Sequence, residues 1–223
     1  ALALARSEKR PPRAVAETIV RHLDDRDGIL AGVDIAGPGF INFRFAPAYW
    51  WGLLREIEAA GETYGRSMIG AGRKVQIEFV SANPTGPLHV GHARGAVTGD
   101  ALASLLAATG HAVAREYYVN DAGNQMAMLG ASTYARYAEL CGCNEPFPEN
   151  GYQGDYVRDV AATLHGRDGA RWMDVDPGEA RAGLSAAAGA MLLDAIRDDT
   201  AALAIHFDRF VSERQLRDDG AVA

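Results

Sequence analysis

The chain has 223 residues, 48% of them hydrophobic and 23% charged, with a net charge of −7 at neutral pH. That length holds one large or two small globular domains with enough apolar material for a core. The acidic balance excludes a protein held on nucleic acid by bulk charge, so any RNA contact must use a local basic patch. No apolar run is long enough to cross a bilayer, and the opening ALALARSEKR lacks the apolar centre of a secretory signal.

The first residue is not methionine and the first ten read as helical, so a fragment is the expectation. Residues 11–25, PPRAVAETIVRHLDD, begin with two prolines and place Val15, Ile19 and Leu23 four apart, which predicts a helix with one apolar stripe. In GFINFRF, Ile41, Phe43 and Phe45 alternate with Asn42 and Arg44, predicting a strand with one wet face. Residues 47–60 read as a second helix, with Trp50 and Trp51 expected in a small core. Residues 1–68 are therefore expected to form a small α+β domain. The glycine-rich stretch GETYGRSMIGAGRK is read as the boundary, because it matches neither G-x-G-x-x-G after a strand nor the P-loop pattern.

Residues 69–223 begin with a strand over 75–80, a proline-containing loop, a helix over 89–108 and a second strand, HAVAREYYV. A strand, helix and strand of these lengths make a βαβ unit and predict a parallel sheet. A helix follows over 124–140, then a Cys/Pro/Gly/Asn loop over 141–154. Alanine-rich helical pattern runs over 155–205, broken near DVDPG, and IHFDRFVSE is expected to close as a strand. The two cysteines, Cys141 and Cys143, are too few for a structural zinc site, so two reduced thiols and no tightly bound metal are expected. No internal repeat is visible.

The chemistry concentrates in SANPTGPLHVGHARG, residues 81–95. His89 and His92 lie three apart at the start of a helix, which puts them on one face. The free N–H groups and partial positive charge of a helix N-terminus bind phosphate. Gly91 leaves the backbone open to a flat group such as adenine. Imidazoles there can donate to a phosphate that gains charge in a transition state. Two histidines at helical spacing are often only a wet helix face. The preceding strand, the proline loop and the small residues Ala93, Gly95 and Ala96 favour the nucleotide reading.

HVGH resembles the HIGH signature of class I aminoacyl-tRNA synthetases and related nucleotidylyl transferases. The longer run VQIEFVSANPTGPLHVGHARGAVTGD, followed by REYYVNDAGNQ, resembles bacterial arginyl-tRNA synthetases. The resemblance implies a Rossmann-like α/β catalytic domain, here its first part with an insertion, preceded by an additional N-terminal domain that contacts the outer corner of tRNA. It implies that the arginine carboxylate attacks the α-phosphorus of ATP, giving arginyl-adenylate and pyrophosphate, and that tRNA(Arg) then takes the arginyl group, with Mg2+ on the phosphates. It implies a longer protein with a KMSKS-type loop and an anticodon-binding domain. It carries ATP binding onto His89, Gly91 and His92, with the two histidines catalytic, and arginine binding onto Glu78, Ser81 and Asn83. A cytoplasmic monomer without a membrane partner is expected.

Glu78 also has a physical reading. A guanidinium needs carboxylates at fixed geometry, and a glutamate on a strand covered on both faces would need such a partner. Asp121 lies after the second strand, where open sheets bind ligands, and equally suits a helix cap. Gln125 falls in the matching block with no role assigned. Arg94 is expected in solvent, and Tyr117 and Tyr118 are expected to pack on opposite faces of their strand. Some family members carry a lysine three positions before the first histidine. Here that position is Gly86, and the only lysines are Lys9 and Lys74. The cation for the departing pyrophosphate is therefore expected elsewhere. Two rival readings are another HIGH-superfamily adenylate-forming enzyme that does not use tRNA, and a non-catalytic RNA-binding paralogue.

Overall fold

The computed structural model describes residues 1–222. The chain divides into two compact units, Ala1–Arg66 and Ser67–Ala223.

The first unit contains α1 (Leu2–Ala5), α2 (Pro12–Arg21), a hairpin of β1 (Leu30–Ala36) and β2 (Phe40–Phe45), and α3 (Pro47–Ala60). Proline opens both longer helices, where its missing N–H costs nothing. Helix α2 stops four residues before its expected end. The Asp25 carboxylate instead accepts from Ile29 N (2.9 Å) and Leu30 N (3.0 Å), an alternative to continuing the helix. Strand β1 was not expected, because LAGVDIA mixes small residues with irregularly spaced aliphatics. It pairs antiparallel with β2, Val33 opposite Phe43, and Arg44 reaches Asp34 across the hairpin at 2.7 Å.

Val15 and Ala16 of α2 are buried. The aromatic side chains are not. Phe43 and Phe45 are exposed, so neither face of β2 is sealed. Trp50 and Trp51 are 49% and 63% exposed, which overturns their expected place in a core. Phe45 stacks on Tyr49 at 4.9 Å, and Trp50 meets both edge-on, forming an aromatic cluster at the surface. Alternation tells which side chains share a face and leaves open whether anything covers it.

The second unit runs β3 (Lys74–Glu78), α4 (Val90–Ala108), β4 (Ala112–Val119), α5 (Asn124–Leu140), α6 (Asp155–Asp168), a 3₁₀ turn at Arg171–Met173, α7 (Pro177–Ala202), β5 (Arg209–Ser212) and α8 (Glu213–Asp218). The strands form one parallel sheet in the order β3-β4-β5, as the βαβ pattern predicts. Phe79 packs with Ala96 of α4 and Ile205. Gly99 is the position that lets α4 approach, since a Cβ there would collide with the Phe79 ring, whereas Gly95 faces open space. Tyr117 and Val119 of β4 pack with Ile196 of α7. A separate, larger core joins α5, α6 and α7 through Leu129, Tyr137, Leu164 and Leu184.

The expected closing strand over 205–213 shortens to Arg209–Ser212. Ser212 ends it by capping α8, its Oγ accepting from Gln215 N at 3.1 Å. The expected strand over 75–80 ends at Glu78, for a reason that belongs to the site.

Candidate active site

Parallel strands β3 and β4 run side by side in register, Glu78 opposite Glu116. Beyond β3 the chain turns through two left-handed residues, Val80 (φ +66°) and Ser81 (φ +42°). A β-branched residue there is an outlier that persists only when its surroundings enforce it. Two bonds from β4 do so. Buried Tyr117 donates its hydroxyl to Ala82 O at 2.8 Å, and Tyr118 N donates to Ser81 Oγ at 3.1 Å. Burial pushes the Tyr117 phenol up to about 12, so it stays a donor at any working pH. Tyr118 lies on the opposite face of β4, half-buried, as expected.

The loop then leads to α4, whose N-cap is His89. His89 Nδ1 accepts from Gly91 N at 3.1 Å, and His92 Nδ1 accepts from His89 N at 3.2 Å. With both Nδ1 atoms accepting, each neutral imidazole carries its proton on Nε2. The two rings stack with centroids 3.8 Å apart. Burial, and secondarily the neighbouring His89, hold the His92 pKa below its ordinary value, which favours this neutral form. A Cβ at Gly91 would lie 2.9 Å from His89 Cε1, so the glycine makes room for the folded-back His89 ring.

A cleft of ≈ 350 Å³ opens beside this helix end, lined by Asn83, Gly86, His92, Gln125, Tyr152 and Tyr156 among others. Asn83 Nδ2 donates to Gln125 Oε1 from the first turn of α5. Gln125, without an expected role, thus orients Asn83. Tyr156 of α6 donates its hydroxyl to Thr85 O at 2.8 Å. Nothing in the sequence singled out Tyr156, because a tyrosine at a helical core position carries no signal of a hydrogen bond 71 residues away.

The other candidate residues are arranged differently. Ser81 lies in the loop with its hydroxyl engaged by β4. Glu78 is exposed, on a strand face shared with Gln76, and Gln76 bonds Glu116 at 2.8 Å. The expectation that Glu78 lies on a covered strand face is therefore corrected: its face of β3 stays open to solvent among the described residues. Asp121 lines a separate cleft of ≈ 470 Å³ between α5 and α7. It does not cap α5, whose N-cap is Gly123. Its carboxylate accepts from Ser212 Oγ (2.7 Å) and Arg214 N (3.0 Å), so it satisfies a free N–H beside the Ser212 cap of α8 and clasps the end of β5. Arg94 is exposed, as expected.

The strand end, the strained loop and the start of α4 with its stacked histidines thus lie together beside the Asn83 cleft. The family described as "tRNA synthetases class I (R), catalytic domain" matches residues 55–147, and "Arginyl tRNA synthetase N terminal domain" matches residues 1–45. The chain belongs to the arginyl-tRNA synthetase family. Its relatives include the arginine–tRNA ligase of Syntrophotalea carbinolica, 50% identical over 98% of this chain and 39% of that protein. The arginine–tRNA ligase of a Geobacter species is 49% identical over 100% of this chain and 40% of that protein. The chain thus spans about 40% of the length of these curated relatives. A Campylobacter jejuni crystal structure, provisionally an arginyl-tRNA synthetase, aligns over 75% of this chain and 36% of its own, with 34% identity and a TM-score of 0.67. The Thermus thermophilus arginyl-tRNA synthetase covers 95% of this chain and 34% of its own at 24% identity and a TM-score of 0.56, a likeness of fold.

Proposed function

We propose that the chain works as the N-terminal part of an arginine–tRNA ligase, which joins arginine to ATP and then transfers the arginyl group to tRNA(Arg). The observation that carries this reading is the stacked His89–His92 pair, with both Nδ1 atoms engaged, at the N-terminus of α4 beside the Asn83 cleft. In this reading ATP lies across the start of α4, its adenine against the backbone at Gly91. The two Nε2–H groups donate to the α-phosphate as the arginine carboxylate attacks it and the phosphorus gains its fifth bond. Pyrophosphate leaves with the electron pair of the broken P–O bond. Mg2+ bound to ATP as part of the substrate would supply positive charge to the phosphates. No side chain becomes covalently attached, so the rate comes from positioning and from charge stabilisation.

Arginine is assigned to Glu78, Ser81 and Asn83, the carboxylate of Glu78 facing the guanidinium. Its exposure fits a carboxylate whose partner is a substrate. Residues 1–66 are assigned to tRNA contact. The enzyme is read as cytoplasmic and monomeric, and no helix among the described residues is long and apolar enough to cross a membrane. The test is aminoacylation by the whole gene product, with tRNA(Arg) and each amino acid in turn. Charging with arginine alone supports the reading. Adenylate formation with a different acid, or binding of tRNA without any adenylate chemistry, would replace it.

A further inference from the structure

We propose that Tyr156 of α6 is a positioning residue for the loop 82–87, and that residue 86 is glycine because the Tyr156 ring stands over it. This rests on the reading of the cleft as the adenylate-forming site. The loop lies between β3 and α4 and has few bonds of its own, Thr85 N to Asn83 O at 2.8 Å being one. It hangs instead on two tyrosine hydroxyls. Tyr117, from β4, holds Ala82 O, and Tyr156, from the helical segment, holds Thr85 O, each at 2.8 Å. Asn83 lies between these anchors and is fixed by Gln125 from α5. Residues that face the substrate are therefore oriented partly by α5 and α6, which lie outside the strand–loop–helix unit that carries them.

Gly86 supports the same account from the other side. Its φ lies outside the left-handed region, so its backbone would accept any residue. What crowds it is the Tyr156 hydroxyl: a Cβ would lie 3.3 Å away, a tight contact that the hydroxyl would have to relieve by a few tenths of an ångström. Tyr156 is half-buried and packs against the α5–α6–α7 core, so its ring cannot swing freely away. Burial also raises its pKa, which keeps the hydroxyl a donor. A side chain at 86 therefore presses on the hydroxyl that makes the Tyr156 tether. Through the tether, the helical segment sets where the loop places Asn83 and the entrance to α4.

Tyr156→Phe keeps the ring and removes the bond. In the full gene product it is expected to lower the rate of adenylate formation by about 3- to 10-fold, the worth of one net hydrogen bond. KM for ATP and the melting temperature should stay close to wild type. Gly86→Ala should lower the rate similarly when residue 156 is tyrosine and add nothing when it is alanine, the non-additivity of two residues in contact. In the present chain, the amides of Thr85, Gly86 and Leu88 should exchange faster in Tyr156→Phe while those of α7 keep their protection. A wild-type rate with wild-type protection in Tyr156→Phe would overturn the proposal. So would a loss of melting temperature alone, or a Gly86→Ala effect that is the same with tyrosine or alanine at 156. If the wild-type gene product makes no arginyl-adenylate, the functional reading fails, while amide exchange still decides the tether.

Discussion

Residues 1–66 and 67–223 use the same kinds of apolar side chain and hide them to different extents. In the second unit Tyr117 and Tyr137 are completely buried, and their hydroxyls bond to carbonyls of Ala82 and Gly169. In the first, Phe43, Phe45, Trp50 and Trp51 are each exposed, and Phe45 and Trp50 cluster with Tyr49. A tyrosine that fills space and also donates a hydrogen bond can hold an irregular loop in a strained shape. A tryptophan on an uncovered helix face contributes little to folding and is free to meet a partner. The difference separates a unit whose buried tyrosines order a loop from one whose large aromatics stay exposed.

The largest effect expected from this contrast is on stability. Leu184→Ala, in the α5–α6–α7 core, should cost about 2–5 kcal/mol, as a cavity in a packed interior does, whereas Trp51→Ala should cost within about 0.5 kcal/mol, as surface changes do. Urea denaturation of each variant measures both, and equal costs would abolish the contrast. The same Trp51→Ala change should weaken tRNA binding by about 1–3 kcal/mol, the range for a base stacked on an aromatic ring. Unchanged affinity in a filter-binding titration would remove Trp51 from the contact surface.

Within the second unit, Glu78→Gln should raise KM for arginine by about tenfold, as expected for losing a charge-assisted bond, with KM for ATP unchanged. Because Glu78 is exposed, its melting temperature should stay near wild type. A loss of stability with intact arginine KM would make the side chain structural. The smallest effect concerns pH. The folded state lowers the pKa of His92, so its neutral form contributes stability that is complete above the ordinary value of 6.5 and lost as pH falls through the lowered one. An NMR titration should place its midpoint below 6.5. His89→Ala should move it only part of the way back, since burial is the larger cause. A midpoint at or above 6.5 would contradict the buried, neutral arrangement.

Much of this was legible in the sequence. Period-two and period-3.6 patterns placed β3, α4, β4 and α5, and a short specific block placed His89 and His92. What remained illegible was geometry between distant residues. No local pattern links Tyr156 to Thr85 or Gln125 to Asn83, because those bonds are made by tertiary packing. The left-handed turn at Val80 and Ser81 was hidden because β-branched residues predict extended strand, and tertiary bonds override that preference. Strand β1 was missed because small residues blur alternation, and α8 because its cap, Ser212 with Gln215, sits at the end of an apolar run. Gly86 stands where some family members carry a cation. The structure adds that the Tyr156 hydroxyl stands close over that position.

The central claim is that the His89–His92 pair stabilises the phosphate undergoing attack. Its most direct test is the single-turnover rate of arginyl-adenylate formation by the whole gene product with tRNA present, in wild type and in His89→Ala and His92→Ala. Each histidine removed should slow that step by about 10²-fold, as loss of a transition-state donor does, with tRNA affinity unchanged. Wild-type rates in both variants would contradict the account.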